Sequence, residues 1–300
     1  MSFPLMPVMN MSSDPGASWE QAASIPGQAL KQLSVSPTGV WIAAGSSLGR
    51  VYRSTNYGAT WAASSTAGVG GMRASAYGNG LFVVAEDADD RISTSSDGLT
   101  WTTRFTGSVE HYNAKYNDGY FVIGAYTASG GGITASANGT SWSLNPQGVM
   151  GPLACRCGIY VASLGRTFAA GASGQAKYVN AIPTSATPWT GTLTTAPSVS
   201  LDVAWSPTRS IAVLVGSGIY SSTDLITWTQ RATDTFEGVS WCGNQFVAVG
   251  SFNRISTSPD GVTWTARTAP PATTGTLYGV AEYGGVILVT STNGTVLKSS

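Results

Sequence analysis

One short run of residues returns again and again in this chain, each time ending on a tryptophan. Its clearest copy is Ile255-Ser-Thr-Ser-Pro-Asp-Gly-Val-Thr-Trp264. Ile92-Ser-Thr-Ser-Ser-Asp-Gly-Leu-Thr-Trp101, Ile133-Thr-Ala-Ser-Ala-Asn-Gly-Thr-Ser-Trp142 and Val51-Tyr-Arg-Ser-Thr-Asn-Tyr-Gly-Ala-Thr-Trp61 repeat it. Ile219-Tyr-Ser-Ser-Thr-Asp-Leu-Ile-Thr-Trp228 lacks the glycine, Ser12-Ser-Asp-Pro-Gly-Ala-Ser-Trp19 opens the chain, and Trp189 closes a decayed copy. The tryptophans at 19, 61, 101, 142, 189, 228 and 264 leave a further 36 residues to Ser300. A period of roughly 40–50 residues is that of a four-stranded propeller blade, so seven intervals predict seven blades in an all-β chain.

Each run reads as a strand, a tight turn on Asp or Asn, and a second strand opening at Thr-Trp. The Asx side chain can accept backbone N–H bonds, and glycine supplies the left-handed position. The Trp body can be buried while its N–H finds a partner. Between boxes a short strand follows (Leu30 to Ser36, Met72 to Tyr77, Val239 to Cys242), then a Gly/Asn turn, then an apolar run. Those runs are Val40 to Ala44, Leu81 to Ala85, Tyr120 to Ile123, Ile159 to Ala162, Ile211 to Val215, Phe246 to Val249 and Val286 to Val289. Apolar runs that do not alternate suit strands covered on both faces, as the second strand of a propeller blade is.

The termini complement one another. Thr295-Val-Leu-Lys-Ser-Ser300 matches the strand before a box but has no box after it, while the box at 12–19 has no strand before it. Joined, they make one blade, which closes the seven-bladed propeller by pairing an N-terminal strand with the C-terminal strands and removes two exposed sheet edges. The expected organisation is an arm at 1–10 and a propeller over 11–300.

Charge is scarce and balanced, with 15 basic and 15 acidic residues among 300. A nucleic-acid reader needs a basic stripe, and none is legible. No apolar run reaches bilayer length, and the first ten residues, with two prolines and no basic segment, make a poor secretory signal. Three cysteines are an odd number, and Cys155 and Cys157 are too close in sequence for ordinary disulfide geometry, so all three read as small buried residues.

The boxes resemble the Asp-box, or bacterial neuraminidase repeat, of sialidase-like propellers, whose consensus is Ser/Thr-x-Asp-x-Gly-x-Thr-Trp. The resemblance spans nearly the whole chain and implies the propeller fold. It assigns Asp14, Trp19, Asn56, Trp61, Asp97, Trp101, Asn138, Trp142, Asp224, Trp228, Asp260 and Trp264 to structural turns. Enzymes of that family need an arginine triad, a Tyr nucleophile with a Glu partner, and an Asp acid/base; the Phe-Arg-Ile-Pro signature is missing here, and no catalytic residue is assigned. A generic glycosidase would need a carboxyl pair about 5–9 Å apart, which sequence cannot place.

Two features point to binding. Arg73, His111, Tyr112, Asp202, Glu237 and Tyr278 lie at or near the openings of the short strands, and propeller topology puts those openings at one mouth of the central channel. Glu86, Asp87, Asp89 and Asp90 form an acidic loop that offers oxygen ligands to Ca²⁺, or else a solvated hairpin paired with Arg91. The reading that follows is a non-enzymatic binding or structural propeller. Its expected setting is a bacteriophage virion or tail, where it serves receptor binding or particle assembly. Residues 1–10 would dock other virion proteins, a symmetric homo-oligomer within the assembly is expected, and a host-surface glycan is a further expected ligand. Two alternatives are a lectin-like propeller and a glycosidase. A third, resembling the propellers that help assemble photosynthetic complexes, calls for a basic patch.

Overall fold

The computed structural model describes residues 16–46, 49–65, 68, 70–87, 91–145, 150–184, 189, 191–193, 197–270 and 275–299. They form seven four-stranded antiparallel sheets arranged as the blades of a propeller. Blade 1 consists of Leu30–Val35, Trp41–Gly45, Arg50–Ser54 and Ala62–Ser65, counted from the channel outward. Blades 2 to 6 repeat this order. In blade 7 the inner three strands are Leu277–Tyr283, Val286–Ser291 and Thr295–Ser299, and the outermost is the N-terminal Trp19–Ser24. Trp19 faces Ser299 and Ser24 faces Thr295, so the chain ends share a sheet as expected.

The second strands are buried along most of their length: every residue of Trp41–Gly45, Ile211–Gly216, Gln245–Gly250 and Val286–Ser291 is covered, and those of blades 2 to 4 are half-buried only at their ends. Each lies between neighbouring blades, and the apolar core divides into seven clusters that follow the seven seams. The seam between blades 7 and 1 joins Leu288 and Val296 to Leu30 and Trp41, so the ring closes by side-chain packing as well as by strand pairing. Blade 4 departs from the expected register. Ile159 to Val161 ends its inner strand Cys155–Val161, and the second strand is Arg166–Gly171. A buried inner strand and a buried second strand are both unbroken apolar runs, so composition alone did not separate them.

The boxes are turns held by side chains. Asp97 Oδ1 accepts N–H bonds from Leu99 and Thr100 at 2.8 and 3.0 Å, and Asp260 does the same for Val262 and Thr263, both at 2.8 Å. Ser95 and Ser258, two residues earlier, each hydrogen-bond the carboxylate and accept the glycine N–H. Gly98, Gly139 and Gly261 take φ near +75°, and in the worn box Leu225 occupies that position at φ 60°. Trp19, Trp61 and Trp142 donate to the carbonyl three residues back, and Trp101 to Ser64. Trp189, Trp228 and Trp264 have no acceptor among the described residues, so the expected indole partner is found for only part of the set. Asp14 lies outside the described residues, as do residues 1–10.

Candidate functional site at the channel mouth

Each inner strand opens with the same two-step device. A first residue is sealed into the seam, and the next turns toward the channel mouth. The sealed residues are Leu30, Met72, His111, Cys155, Ser200, Phe236 and Leu277, none more than 2% exposed. The residues that follow them are Lys31, Arg73, Tyr112, Arg156, Leu201, Glu237 and Tyr278, one per blade, and all seven line one recess of about 110 Å³. In six blades the pairing register slips at this point, between Leu30 and Leu33, Met72 and Ala74, His111 and Ala114, Cys155 and Cys157, Ser200 and Asp202, and Leu277 and Val280. A bulge bends a strand and re-aims a side chain, here toward the propeller axis.

Of the residues expected at the mouth, Arg73, Tyr112, Glu237 and Tyr278 are brought together. His111 is not among them. It occupies a sealed position, fully buried, with Nε2 3.3 Å from Thr134 Oγ1 and its ring edge-on to Phe105 at 5.9 Å. Burial pulls its pKa down to about 4. Asp202 is also displaced, because Leu201 takes the mouth position in its blade and Asp202 is the residue after it. Its carboxylate lies deeper in the channel, where Lys115 Nζ approaches to 2.9 Å and the Val239 and Val203 amides donate at 2.9 and 2.8 Å. Burial raises its pKa, against the pull of Lys115 and those amides. Lys31, Gln32, Asn113, Arg156 and Leu201 complete the recess. The signal that would have found three of these is the alignment of strand openings one residue after the sealed position.

The mouth carries three cations. Lys31 Nζ lies 3.8 Å above the Tyr278 ring, and the guanidinium groups of Arg73 and Arg156 lie 4.8 and 4.4 Å from the Tyr112 ring centre. Arg73 is paired with Asp87 at 2.6 Å. Arg156 makes no ion pair among the described residues, and its Nε has no hydrogen-bond partner there. Burial and then Arg73 lower the pKa of Lys31, opposed by Glu237 and Asp87. Glu237 is raised by burial, against Lys31, the Ser251 hydroxyl and Arg156. Tyr112 donates its hydroxyl to Glu110 at 2.9 Å, and burial with that bond pushes its pKa up to about 12. Three cations from three blades therefore gather at the mouth, beside the carboxylates of Asp87 and Glu237, a grouping the linear sequence does not show.

Beneath the mouth the channel is crossed by side chains. Gln32 Oε1 accepts the Ser75 and Ala114 amides, each at 2.9 Å, while its Nε2 donates to Ala114 O at 2.6 Å and to Asn113. Lys115, from blade 3, reaches Asp202 in blade 5 and the Val239 carbonyl in blade 6.

The acidic run does not gather as a metal site. Glu86 ends the second strand of blade 2, fully buried, with Oε2 accepting the Gly70 amide at 3.3 Å. Asp87 is turned to Arg73 instead of Arg91. The strand runs one residue further than expected, so the first two acids point to different partners. Asp89 and Asp90 lie outside the described residues, and no group of three His, Cys, Asp or Glu side chains is placed to hold a metal among the described ones. Cys155, Cys157 and Cys242 are buried free thiols raised by burial.

No protein-family model matches the chain, and no curated protein matches it. Solved structures do. The WD40 β-propeller domain of Doa1 is similar with TM-score 0.73 and 14% identity, covering 95% of this chain and 97% of that one. YCF48 from Cyanidioschyzon merolae is similar with TM-score 0.67 and 16% identity over 94% of this chain and 98% of its own. A YCF48 bound to D1 peptide gives TM-score 0.68 and 14% identity, with 96% of both chains covered. At these identities the likeness is one of fold. The chain is a seven-bladed β-propeller, an architecture consistent with a non-enzymatic binding or structural module.

Proposed function

We propose that this chain is a non-enzymatic binding module whose partner seats on the face where the inner strands open. The observation that carries this is the mouth itself: seven blades each deliver one residue to a single recess, and the Arg156 guanidinium there makes no ion pair among the described residues. A structural plug would be expected to satisfy its own charge, as Lys115 and Asp202 do lower in the channel. A propeller of the same fold is bound to D1 peptide, which supports a polypeptide as a kind of partner that this fold can take. The test is affinity capture from the native source with Leu201→Trp, which fills the mouth, and Arg209→Glu, on the turn at the opposite end of an inner strand. The partner should be lost with the first variant and kept with the second.

The setting we propose is a virion or tail component that serves receptor binding or assembly, supported by the charge-poor, Ser/Thr/Gly-rich composition. Residues 1–10 are the proposed docking arm within a symmetric particle. Mass spectrometry of purified particles tests the setting, and incorporation of a chain lacking residues 1–10 tests the arm. A host-surface glycan remains the proposed alternative ligand.

A hydrolase reading has one specific observation in its favour. Tyr112 is hydrogen-bonded to Glu110 and flanked by Arg73 and Arg156, the residue types a sialidase-like site uses. Against it, the phenol is held protonated with its pKa about 12, the reverse of an activated nucleophile, and Arg73 is already occupied by Asp87. Turnover of a chromogenic sialoside by purified protein, abolished in Tyr112→Phe, would decide for the enzyme.

A further inference from the structure

We propose that the mouth reads a polypeptide carboxylate with an apolar side chain beside it, Arg156 taking the anion and Phe252 the apolar group. This rests on the reading of the mouth as the ligand face. Phe252 is 87% exposed, far more than any other large apolar side chain among the described residues. Its backbone is left-handed, with φ 59° and ψ 36°, and Asn253 beside it has φ 58°. A non-glycine residue held in that region costs about 1–2 kcal/mol, and such strain collects where surroundings fix a residue for use. Displaying a phenylalanine to water gains nothing in return within the fold.

The strained turn adjoins the mouth. Ser251, the residue before Phe252, hydrogen-bonds the ring carboxylate Glu237, and its hydroxyl lies 3.4 Å from Thr276 Oγ1, two residues before Tyr278. Arg254 lies over the aromatic, 5.9 Å from its ring centre, and is paired with Asp234 at 3.0 Å. The exposed aromatic therefore stands at the same end of blade 6 that carries Glu237 into the recess.

The polar inventory selects the ligand. Acceptors at the mouth are engaged: Asp87 by Arg73, Glu237 by Ser251, Asn113 by Gln32, Glu110 by Tyr112. Arg156 Nε is a buried donor without an acceptor among the described residues, and neither Arg156 nor Lys31 makes an ion pair there. A neutral sugar hydroxyl brings a donor with every acceptor, whereas a carboxylate brings acceptors only and matches a guanidinium fork. A chain terminus, or an Asp or Glu side chain next to an apolar residue, joins both required groups in one short segment.

The experiment uses purified full-length protein on three arrays: hexapeptides with free carboxyl termini, the same peptides as amides, and glycans that include acidic sugars. Peptides with a carboxylate near an aliphatic or aromatic residue should bind. Amidation abolishes binding if the terminus is the source and leaves it unchanged if a side chain is. Arg156→Gln should weaken the best peptide at least tenfold, and Phe252→Asn, whose replacement tolerates the left-handed turn, several-fold. Matching melting curves exclude misfolding. Failure of any peptide to bind, or binding that survives both substitutions, overturns the proposal. Acidic glycans that bind and are lost with Arg156→Gln overturn the peptide class while keeping the mouth as the ligand face. Glycan binding indifferent to the mouth overturns both.

Discussion

His111 is the chain's single histidine, and its placement tests the two-step register from which the mouth was built. The other sealed positions hold Leu30, Met72, Cys155, Ser200, Phe236 and Leu277, so His111 should behave as a buried neutral group. Its pKa is about 4 in the fold, lowered by burial, against roughly 6.5 unfolded. Between those values the unfolded chain binds the proton and the folded chain does not. Stability from this group is complete above pH 6.5 and is lost as pH falls toward 4. The loss approaches roughly 3 kcal/mol at its limit and is about 2 kcal/mol at pH 5. For 300 residues, that is a melting shift of about 3 °C. Melting curves for wild type and His111→Leu at pH 7 and pH 5 isolate the term, because carboxylate titrations are common to both. The wild type should lose about 3 °C more than the variant. NMR titration of the lone imidazole should show no midpoint above pH 5. Parallel melting profiles, or a midpoint near 6.5, would refute the sealed position and with it the off-by-one register of the ring.

Lys115→Met leaves Asp202 buried without its cation and should cost about 3–5 kcal/mol in urea unfolding, most of it recovered in the double variant with Asp202→Asn. Gln32→Leu strands the Ser75 and Ala114 amides and should cost about 2–4 kcal/mol by the same measurement. Asp97 is held at about 2 by the Thr100 and Leu99 amides and the Ser95 hydroxyl. Its folded value lies below its unfolded one, so its contribution is present above pH 4 and lost by pH 2; Asp97→Asn should flatten the melting profile in that window. Carboxylate-peptide binding should tighten as pH falls toward the range where the ligand itself protonates, because Glu237, raised by burial, protonates first. Glu237→Gln should abolish that dependence in a fluorescence titration.

Much of the architecture was legible because the box is a local device. Ser258, Asp260 and Gly261 satisfy one another's backbone within four residues, so the sequence pattern and the geometry are the same fact. The closing strand was readable for a similar reason, since Trp19 and Ser299 each carry half of one box. Blade 4 was misread where the pattern fades, and its outer strand, Gly191–Thr192, is only two residues long. The mouth was half legible. Strand openings could be placed at one end of the channel, but which of two adjacent residues faces it depends on a bulge, and bulges leave no spacing signature. That is why His111 and Asp202 were expected one residue from the positions that line the recess. Phe252 was invisible for another reason: the exposure of one apolar residue and the sign of its φ belong to the folded turn.

Site-specific photo-crosslinking addresses the central claim most directly. With p-benzoylphenylalanine at Leu201, in the mouth, and separately at Arg209, on the opposite face, each protein is irradiated with its captured partner. The account predicts an adduct from position 201 that Arg156→Gln suppresses, and none from 209. An adduct from 209 alone would contradict it.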